Sequence, residues 1–438
     1  MEATVQIGSQ VPGRSASAGL RRIVLSSVIG TAVEWYDFAI YGTATALVFN
    51  KLFFPTRGAS LSTIVAFATY GVGFFARPVG AAIFGHYGDE IGRKAMLAAT
   101  IVIMGVGTFL IGLLPTYGQI GVAAPLLLVC LRLLQGVGLG GEWGGAVLMV
   151  VENAATRSRG LLGSMVQIGF PIGVLAAVGM FALVSKLPEQ ELMSWGWRVP
   201  FLISILLVGV GLYIRLRLVE TPVFRQLKLR DEVATIPAME ILSRHRRPFF
   251  IAIGLKISEI AYFSIASVFS ISYVTGHLGL PRSLIFNAVL MSSAVALVSI
   301  PTFGWLADKL GRKPMFIAGC AFSIAFAFPL FRLLDTKDST IITLAVVIAI
   351  NLGQMVGFSI GAPWYSELFP ARLRYSGCSL GFQIGAALSG GLTPVIAASL
   401  MAQSGGATWP ISVYLIGCAC ITLVAAILAP ETSGKELT

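Results

Sequence analysis

Charge is scarce in this sequence. Only 12% of its 438 residues are Asp, Glu, Lys or Arg, about half the roughly 25% of an ordinary soluble domain. Histidine is nearly absent: His86, His245 and His277 stand far apart. The five cysteines, Cys130, Cys320, Cys378, Cys418 and Cys420, have neither zinc-like nor disulfide-framework spacing. A metal centre, a resident cofactor and a disulfide-stapled domain are therefore not expected. No nucleophile–base–orienter set stands out, which argues against a membrane enzyme.

What is present is apolar sequence. Hydrophobic residues make up 56% of the chain, and the mean hydropathy is +0.84. They fall in long runs, and roughly 20 apolar residues suffice to cross a bilayer as a helix. The runs predict spans near 23–48, 62–84, 95–114, 123–150, 161–185 and 199–217, then 249–274, 284–306, 315–333, 340–366, 377–401 and 409–429. The expectation is an all-α integral membrane protein with twelve transmembrane helices in two six-helix bundles. Its parts would be an arm at 1–22, bundles at 23–217 and 249–429, a polar linker at 218–248 and a tail at 430–438. The arm has no small-residue cleavage site behind a short apolar core, so no cleaved leader is expected.

The net charge of +11 could suggest a nucleic-acid partner, but its distribution fits a bilayer. If the N-terminus is inside, the inner loops and termini hold 21 of the 31 Lys and Arg residues. The outer loops hold only Lys51, Arg57, Lys186, Arg198, Arg282, Arg332 and Lys337. This positive-inside bias places both termini in the cytoplasm.

The two halves repeat. GHYGDEIGRK (85–94) and GWLADKLGRK (304–313) share Gly, Asp, Gly, Arg and Lys at an offset of 219. Glu152 with Arg157 and Arg159 returns as Glu367 with Arg372 and Arg374, Gln167-Ile-Gly169 as Gln383-Ile-Gly385, and Glu220-Thr221 as Glu431-Thr432. Four matches in one order indicate a duplicated six-helix unit, and transporters built this way hold substrate at the midplane between the halves. Asp89 and Asp308 can face a neighbouring helix N-terminus. Arg93, Lys94, Arg312, Lys313, Arg157 and Arg372 can pair with Glu152, Glu367, Glu220 or Glu431, forming a cytoplasmic gate.

Seven charged residues sit well inside the spans: Glu34, Asp37, Glu142 and Glu259 against Arg77, Arg132 and Lys256. A charge at the bilayer centre costs on the order of 3 kcal/mol or more, so these are functional candidates. Glu34, Asp37 and Tyr41 share one helix face, as do Arg132, Gln135 and Gly136. Gly73 and Gly80 flank Arg77 and leave room beside a guanidinium. Four acids against three bases leave one carboxylate without a cation, suited to carrying a proton. Glu142 lies roughly 80° round its helix from Arg132, an awkward angle for pairing. Gly136, Gly140 and Gly144, with Gly141 and Gly145, form a close-packing seam. This glycine run lacks the Lys-Ser/Thr ending of a phosphate loop. Asn351, Gln354, Tyr365 and Gln383 are polar at span depth and could bond a hydroxylated substrate or simply join helices.

The loop pair resembles the signature of the major facilitator superfamily. EWYDFAIYG (34–42), FFARPVG (74–80), LRLLQGVGLGGEWGGA (131–146), SWGWRVPF (194–201) and ELFPARLRYSG (367–377) resemble its metabolite:proton symporter subgroup. HLGLPR (277–282), SIPTFGWLAD (299–308), GLTPVIAASL (391–400) and Glu259 resemble the shikimate-permease branch. The resemblance implies a monomeric inner-membrane importer, driven by protons and needing no cofactor. It would carry a small organic acid by alternating access, with shikimate or a similar hydroxylated carboxylate as best guess. Proline or betaine, di- and tricarboxylates, and substrate exchange are the alternatives. It also implies proton coupling at Asp37 opposite Arg132, with Glu34 nearby. Arg77, Arg132, Tyr41, Gln135, Glu142, Lys256, Glu259, Asn351, Gln354, Tyr365 and Gln383 are then the candidates for substrate.

Overall fold

The computed structural model describes residues 14–55, 59–90, 93–216, 237–371 and 373–437. Among these residues every regular element is helical. Twelve helices are long and apolar enough to cross a membrane. They are α1 (Gly19–Leu52), α2 (Leu61–Phe84), α3 (Ala95–Leu113), α4 (Ala123–Val151), α5 (Thr156–Val184), α6 (Gly196–Leu216), α7 (Arg246–His277), α8 (Arg282–Leu310), α9 (Arg312–Leu334), α10 (Ser339–Glu367), α11 (Arg374–Gln403) and α12 (Trp409–Leu428). All twelve predicted spans coincide with these helices. A helix satisfies its own backbone, which is the condition for crossing lipid. Most of the linker lies outside the described residues; its end forms a short amphipathic helix, Pro237–Arg244.

The packing repeats as the sequence does. In the first half α1 lies along α5, α2 along α4 and α3 along α6; in the second α7 lies on α11, α8 on α10 and α9 on α12. The halves meet where α2 touches α11 and, symmetrically, α8 touches α5. Such pairing is a pseudo-two-fold bundle. The glycine seam of α4 finds its partner within the half, because Gly136 faces Gly73 and Gly140 faces the Arg77–Ala81 backbone of α2. Beyond Gly141 the seam turns toward the other half, where Gly144 meets Ser379 and Gly145 meets Tyr375 of α11.

Several helices widen to turns with i→i+5 hydrogen bonding. Thr45–Phe49 in α1 and Ser264–Phe269 in α7 start 219 residues apart, the spacing of the loop motifs. Similar turns occur at Tyr273–His277, Ala349–Gln354 and Ala387–Gly391.

Along the helices the molecule is layered. At 1.5 Å rise per residue, Glu34 lies about 20 Å along α1 from Leu47. Leu47 lines a cleft of about 610 Å³ with Asn50, Ser62, Thr63, Ser272 and Arg282, at the end away from the chain termini. At the level of Glu34, whose neighbour on α1 is Trp35, an aromatic layer joins the halves. Trp35 meets Phe263 and Phe358 edge-on at 5.3 and 5.8 Å, and Phe170 meets the same two rings at 5.2 and 5.3 Å.

Candidate functional site

Asp37 lies buried among partners from two neighbouring helices. Arg132 Nη1 is 3.9 Å from Asp37 Oδ2. Gln135 Nε2 donates to Asp37 Oδ1 at 3.0 Å and to Thr108 Oγ1 at 2.8 Å, and the Thr108 hydroxyl lies against the same Oδ1. Arg132 in turn donates to Gln135 Oε1 at 3.2 Å and stacks over the Tyr41 ring at 4.0 Å. Tyr41 donates to Thr69 at 3.0 Å. Gly73 of α2 leaves space for the Arg132 side chain, whose Cδ would lie 3.0 Å from an added Cβ. The room expected beside Arg77 is thus used by Arg132. Thr108, on α3, has no charge or motif to mark it in the sequence.

Glu142 is paired elsewhere than expected. It bonds Arg215 at the end of α6, and Arg215 also donates to the Leu97 carbonyl at 2.9 Å. Gly30 of α1 faces this pair, with Glu142 Oε1 3.0 Å from an added Cβ. Arg215 is 3% exposed, so it joins the interior charges and brings them to four against four. The expectation of one excess carboxylate is corrected accordingly. Lys256 and Glu259, one turn apart on α7, form a second buried pair. The Lys256 ammonium stands over the Phe382 ring at 3.8 Å and the Phe358 ring at 5.2 Å.

Glu34 and Arg77 remain. Both are buried, and neither makes an ion pair with a described residue. Arg77 rests on Phe74 at 4.5 Å and Phe38 at 5.2 Å, and its Nε has no hydrogen-bond partner. Glu34 Oε2 likewise has none. Glu34 lies in the field of Arg77, Lys256 and Arg215, and of Glu142 with the opposite effect.

The polar residues of the second half divide. Asn351 ties α8 to α10: its Nδ2 donates to the Ser292 carbonyl at 3.1 Å, and its Oδ1 accepts from Ser299 at 2.7 Å. It is interhelical glue. Gln354 has both amide atoms unpartnered, and the Tyr365 hydroxyl and Gln383 Oε1 are also unpartnered. Gln167 and Gln383, equivalent in the repeat, cross between the halves. Gln167 Nε2 donates to the Phe358 carbonyl at 3.2 Å and Gln383 Nε2 to the Leu139 carbonyl at 3.4 Å. Trp143 occupies Gln167 Oε1 at 3.3 Å; at the equivalent place in α10, 215 residues on, stands Phe358, whose side chain has no donor to offer.

At the end carrying the termini the halves are latched by a crossed pair. Arg159 reaches Glu367 at 3.7 Å, and its repeat-mate Arg374 reaches Glu152, the mate of Glu367, at 3.8 Å. Arg312 pairs with Asp308 at 2.8 Å and Glu367 at 3.5 Å. Asp308 accepts from the Gly160 and Leu161 N–H groups at 2.7 and 2.8 Å, an acid at a helix N-terminus. Glu431 accepts from the Arg312 and Lys313 N–H groups at 3.1 and 2.9 Å. Burial opposes its ionisation, but four backbone N–H donors outweigh it and hold its carboxyl below the usual range. Arg157 is exposed and makes no ion pair with a described residue, so Arg159 and Arg374 fill the parts expected of Arg157 and Arg372. Arg372, Glu220 and the side chains of Asp89, Arg93 and Lys94 lie outside the described residues.

The profile of the sugar (and other) transporter family matches residues 23–240 and 235–438. The chain belongs to that family. The shikimate transporter of Escherichia coli (strain K12) is 40% identical over 415 residues, covering 94% of this chain and 95% of that one. The proline/betaine transporter of Salmonella typhimurium (strain LT2) is 35% identical over 432 residues, covering 95% and 85%. Among solved structures, the major facilitator superfamily proton:xylose symporter XylE bound to 6-bromo-6-deoxy-D-glucose superposes with a TM-score of 0.73. It is 18% identical and covers 96% of this chain and 98% of that one. The protein is a multi-pass inner-membrane transporter with the major facilitator fold.

Proposed function

We propose that this transporter is a proton-coupled importer of a small hydroxylated carboxylate, with shikimate as the first candidate. Both termini then face the cytoplasm, as the basic loops indicate, and the crossed arginine–glutamate latch is the cytoplasmic gate. The cleft at the other end is the periplasmic entrance. An acid of α1, Asp37 or Glu34, holds the proton, and the neighbouring cations, Arg132 and Arg77, seat the substrate anion. The observation that carries the reading is the buried charged layer, interleaved with aromatic rings that join the halves, behind a closed latch. Charges this far inside the span face partners or cargo rather than lipid. The unpartnered amide and hydroxyl groups of Gln354, Gln383 and Tyr365 supply donors and acceptors for substrate hydroxyls. The 40% identity to the shikimate transporter supports the same substrate class.

The test is uptake of labelled shikimate into proteoliposomes with an imposed inward proton gradient. Accumulation that collapses when the gradient is dissipated is expected. Exchange that proceeds equally well without a gradient would mean an exchanger instead.

A further inference from the structure

We infer that Glu34 and Arg77 form the proton–anion exchange centre. A substrate bearing one carboxylate seats on Arg77 only when Glu34 is protonated, so one proton and one monoanion cross together without net charge. This rests on the importer reading above and specifies its substrate class by charge.

The argument is a count of buried charges and their partners. The interior of the bundle holds Glu34, Asp37, Glu142 and Glu259 against Arg77, Arg132, Lys256 and, at the end of α6, Arg215, each at most 4% exposed. Six of the eight are already paired, as Asp37–Arg132, Glu142–Arg215 and Glu259–Lys256. Only Glu34 and Arg77 have no ion-pair partner among the described residues. Glu34 Oε2 and Arg77 Nε have no hydrogen-bond partner, as is also true of Asp37 Oδ2, Glu142 Oε2 and Arg132 Nε and Nη2 among the paired groups, so it is the missing ion pair that sets Glu34 and Arg77 apart. Arg77 is held by aromatic faces, which orient the guanidinium without neutralising it.

The groups around Glu34 are accounted for on each side. Arg77 of α2 rests on Phe38, one turn along α1 from Glu34. The Glu142–Arg215 pair of α4 and α6 lies against Gly30, one turn to its other side. Lys256 of α7, with its Glu259, stands over Phe358, the ring that Trp35 meets. From α5 the glycines Gly169 and Gly173 bring backbone against α1, with no charged side chain. Asp37, on its own helix, has Arg132, Gln135 and Thr108 to lose if it gives up its charge. Glu34 has no such partner.

With Glu34 ionised and the site empty, the eight charges sum to zero. A proton on Glu34 leaves one positive charge, Arg77, and a monocarboxylate restores neutrality. A dicarboxylate would leave the layer with one excess negative charge and a zwitterion with one excess positive charge. An uncompensated charge at this depth is strongly disfavoured. The proton enters Glu34 from one side and leaves it on the other, and no covalent bond is made.

Transport by the wild-type protein in proteoliposomes distinguishes the outcomes. A pH gradient is imposed while potassium and valinomycin clamp the voltage, and shikimate, α-ketoglutarate and betaine serve as probes of charge −1, −2 and 0. Shikimate alone is expected to accumulate, to a ratio that voltage does not move. One net charge per cycle would change that ratio about 50-fold for each 100 mV. Voltage-dependent accumulation, or accumulation of either other probe in its place, overturns the one-to-one pairing and leaves the importer standing. No gradient-driven uptake of any probe overturns both. Glu34→Gln is expected to retain counterflow of shikimate and lose accumulation, which Glu34→Asp restores. Accumulation retained by Glu34→Gln overturns the inference. Arg77→Gln is expected to raise the shikimate KM at least tenfold, and an unchanged KM overturns its role as the seat.

Discussion

At the end of α6, Arg215 closes an apolar run two residues before another arginine, so in the sequence it reads as a loop cation. The structure buries it against Glu142, which moves Glu142 from a substrate candidate to half of a packing pair. Removing one partner of a buried pair strands the other charge and costs about 3–5 kcal/mol, whereas replacing both with apolar residues is often close to neutral. Glu142→Ala should therefore lower the thermal unfolding temperature strongly, and Glu142→Leu with Arg215→Met should recover most of the loss. The double variant should also keep the KM for the transported acid within about twofold; a large rise would return Glu142 to the substrate site. The intramembrane acids were legible because charge is conspicuous in an apolar run. Their partners were less so, since Arg215 lies at a helix end and Thr108 carries no charge, and both are brought in by tertiary packing. Asn351 shows the reverse case: polarity at span depth drew attention to a residue that only joins two helices.

The elements were the most legible level. Each helix is a long apolar run between polar breaks, and in lipid that composition admits little else. The wide turns were not visible, because one extra residue in a helical turn leaves composition unchanged. The glycine spacing on α4 announced a seam, but the backbone it packs against and its change of partner beyond Gly141 needed the fold. That seam is a sharp test of packing. A Cβ on Gly140 would lie 2.5 Å from the Ala81 nitrogen and 2.9 Å from the Gly80 carbonyl carbon, both backbone atoms that cannot rotate away. Gly140→Val should push α2 off α4 and, as overpacking does, lose about 1–3 kcal/mol. Gly209→Val on α6 is the control, because nothing lies within 4 Å of its added Cβ. Equal losses of thermal stability in the two variants would argue against a close α2–α4 seam.

Across the whole molecule the two ends are tied with unequal strength. The latch at the termini sits on buried groups: Arg159, Arg312 and Arg374 are 4%, 0% and 3% exposed, and Thr432 and Glu431 fasten the tail to it. At the opposite end the exposed pair Lys51–Glu189 lies within the first half, with side chains 56% and 67% exposed, and does not tie the halves. Arg282 adds one bond to the Ser185 carbonyl at 3.2 Å. In the alternating-access cycle that the proposed function requires, both ends open in turn, and this arrangement has the termini-bearing end closed. Glu367 is the centre of the latch, since it serves Arg159, Arg312 and Thr432 at once. Glu367→Ala leaves two buried guanidinium groups short of a carboxylate in the closed state, while water can solvate them once the end opens. A loss of about 3 kcal/mol would raise the open fraction more than 100-fold. Cys378 reports on it without an engineered label: it is buried beside the latch, bonded to the Tyr365 carbonyl. Cys130 and Cys420 are exposed on membrane-spanning helices, where a hydrophilic maleimide reacts poorly. The alkylation rate of Cys378 should rise at least tenfold in Glu367→Ala, and Lys51→Ala should leave it unchanged. A rate that Glu367→Ala does not move would mean that the interface of the halves, rather than the arginine–glutamate crossing, holds this end shut.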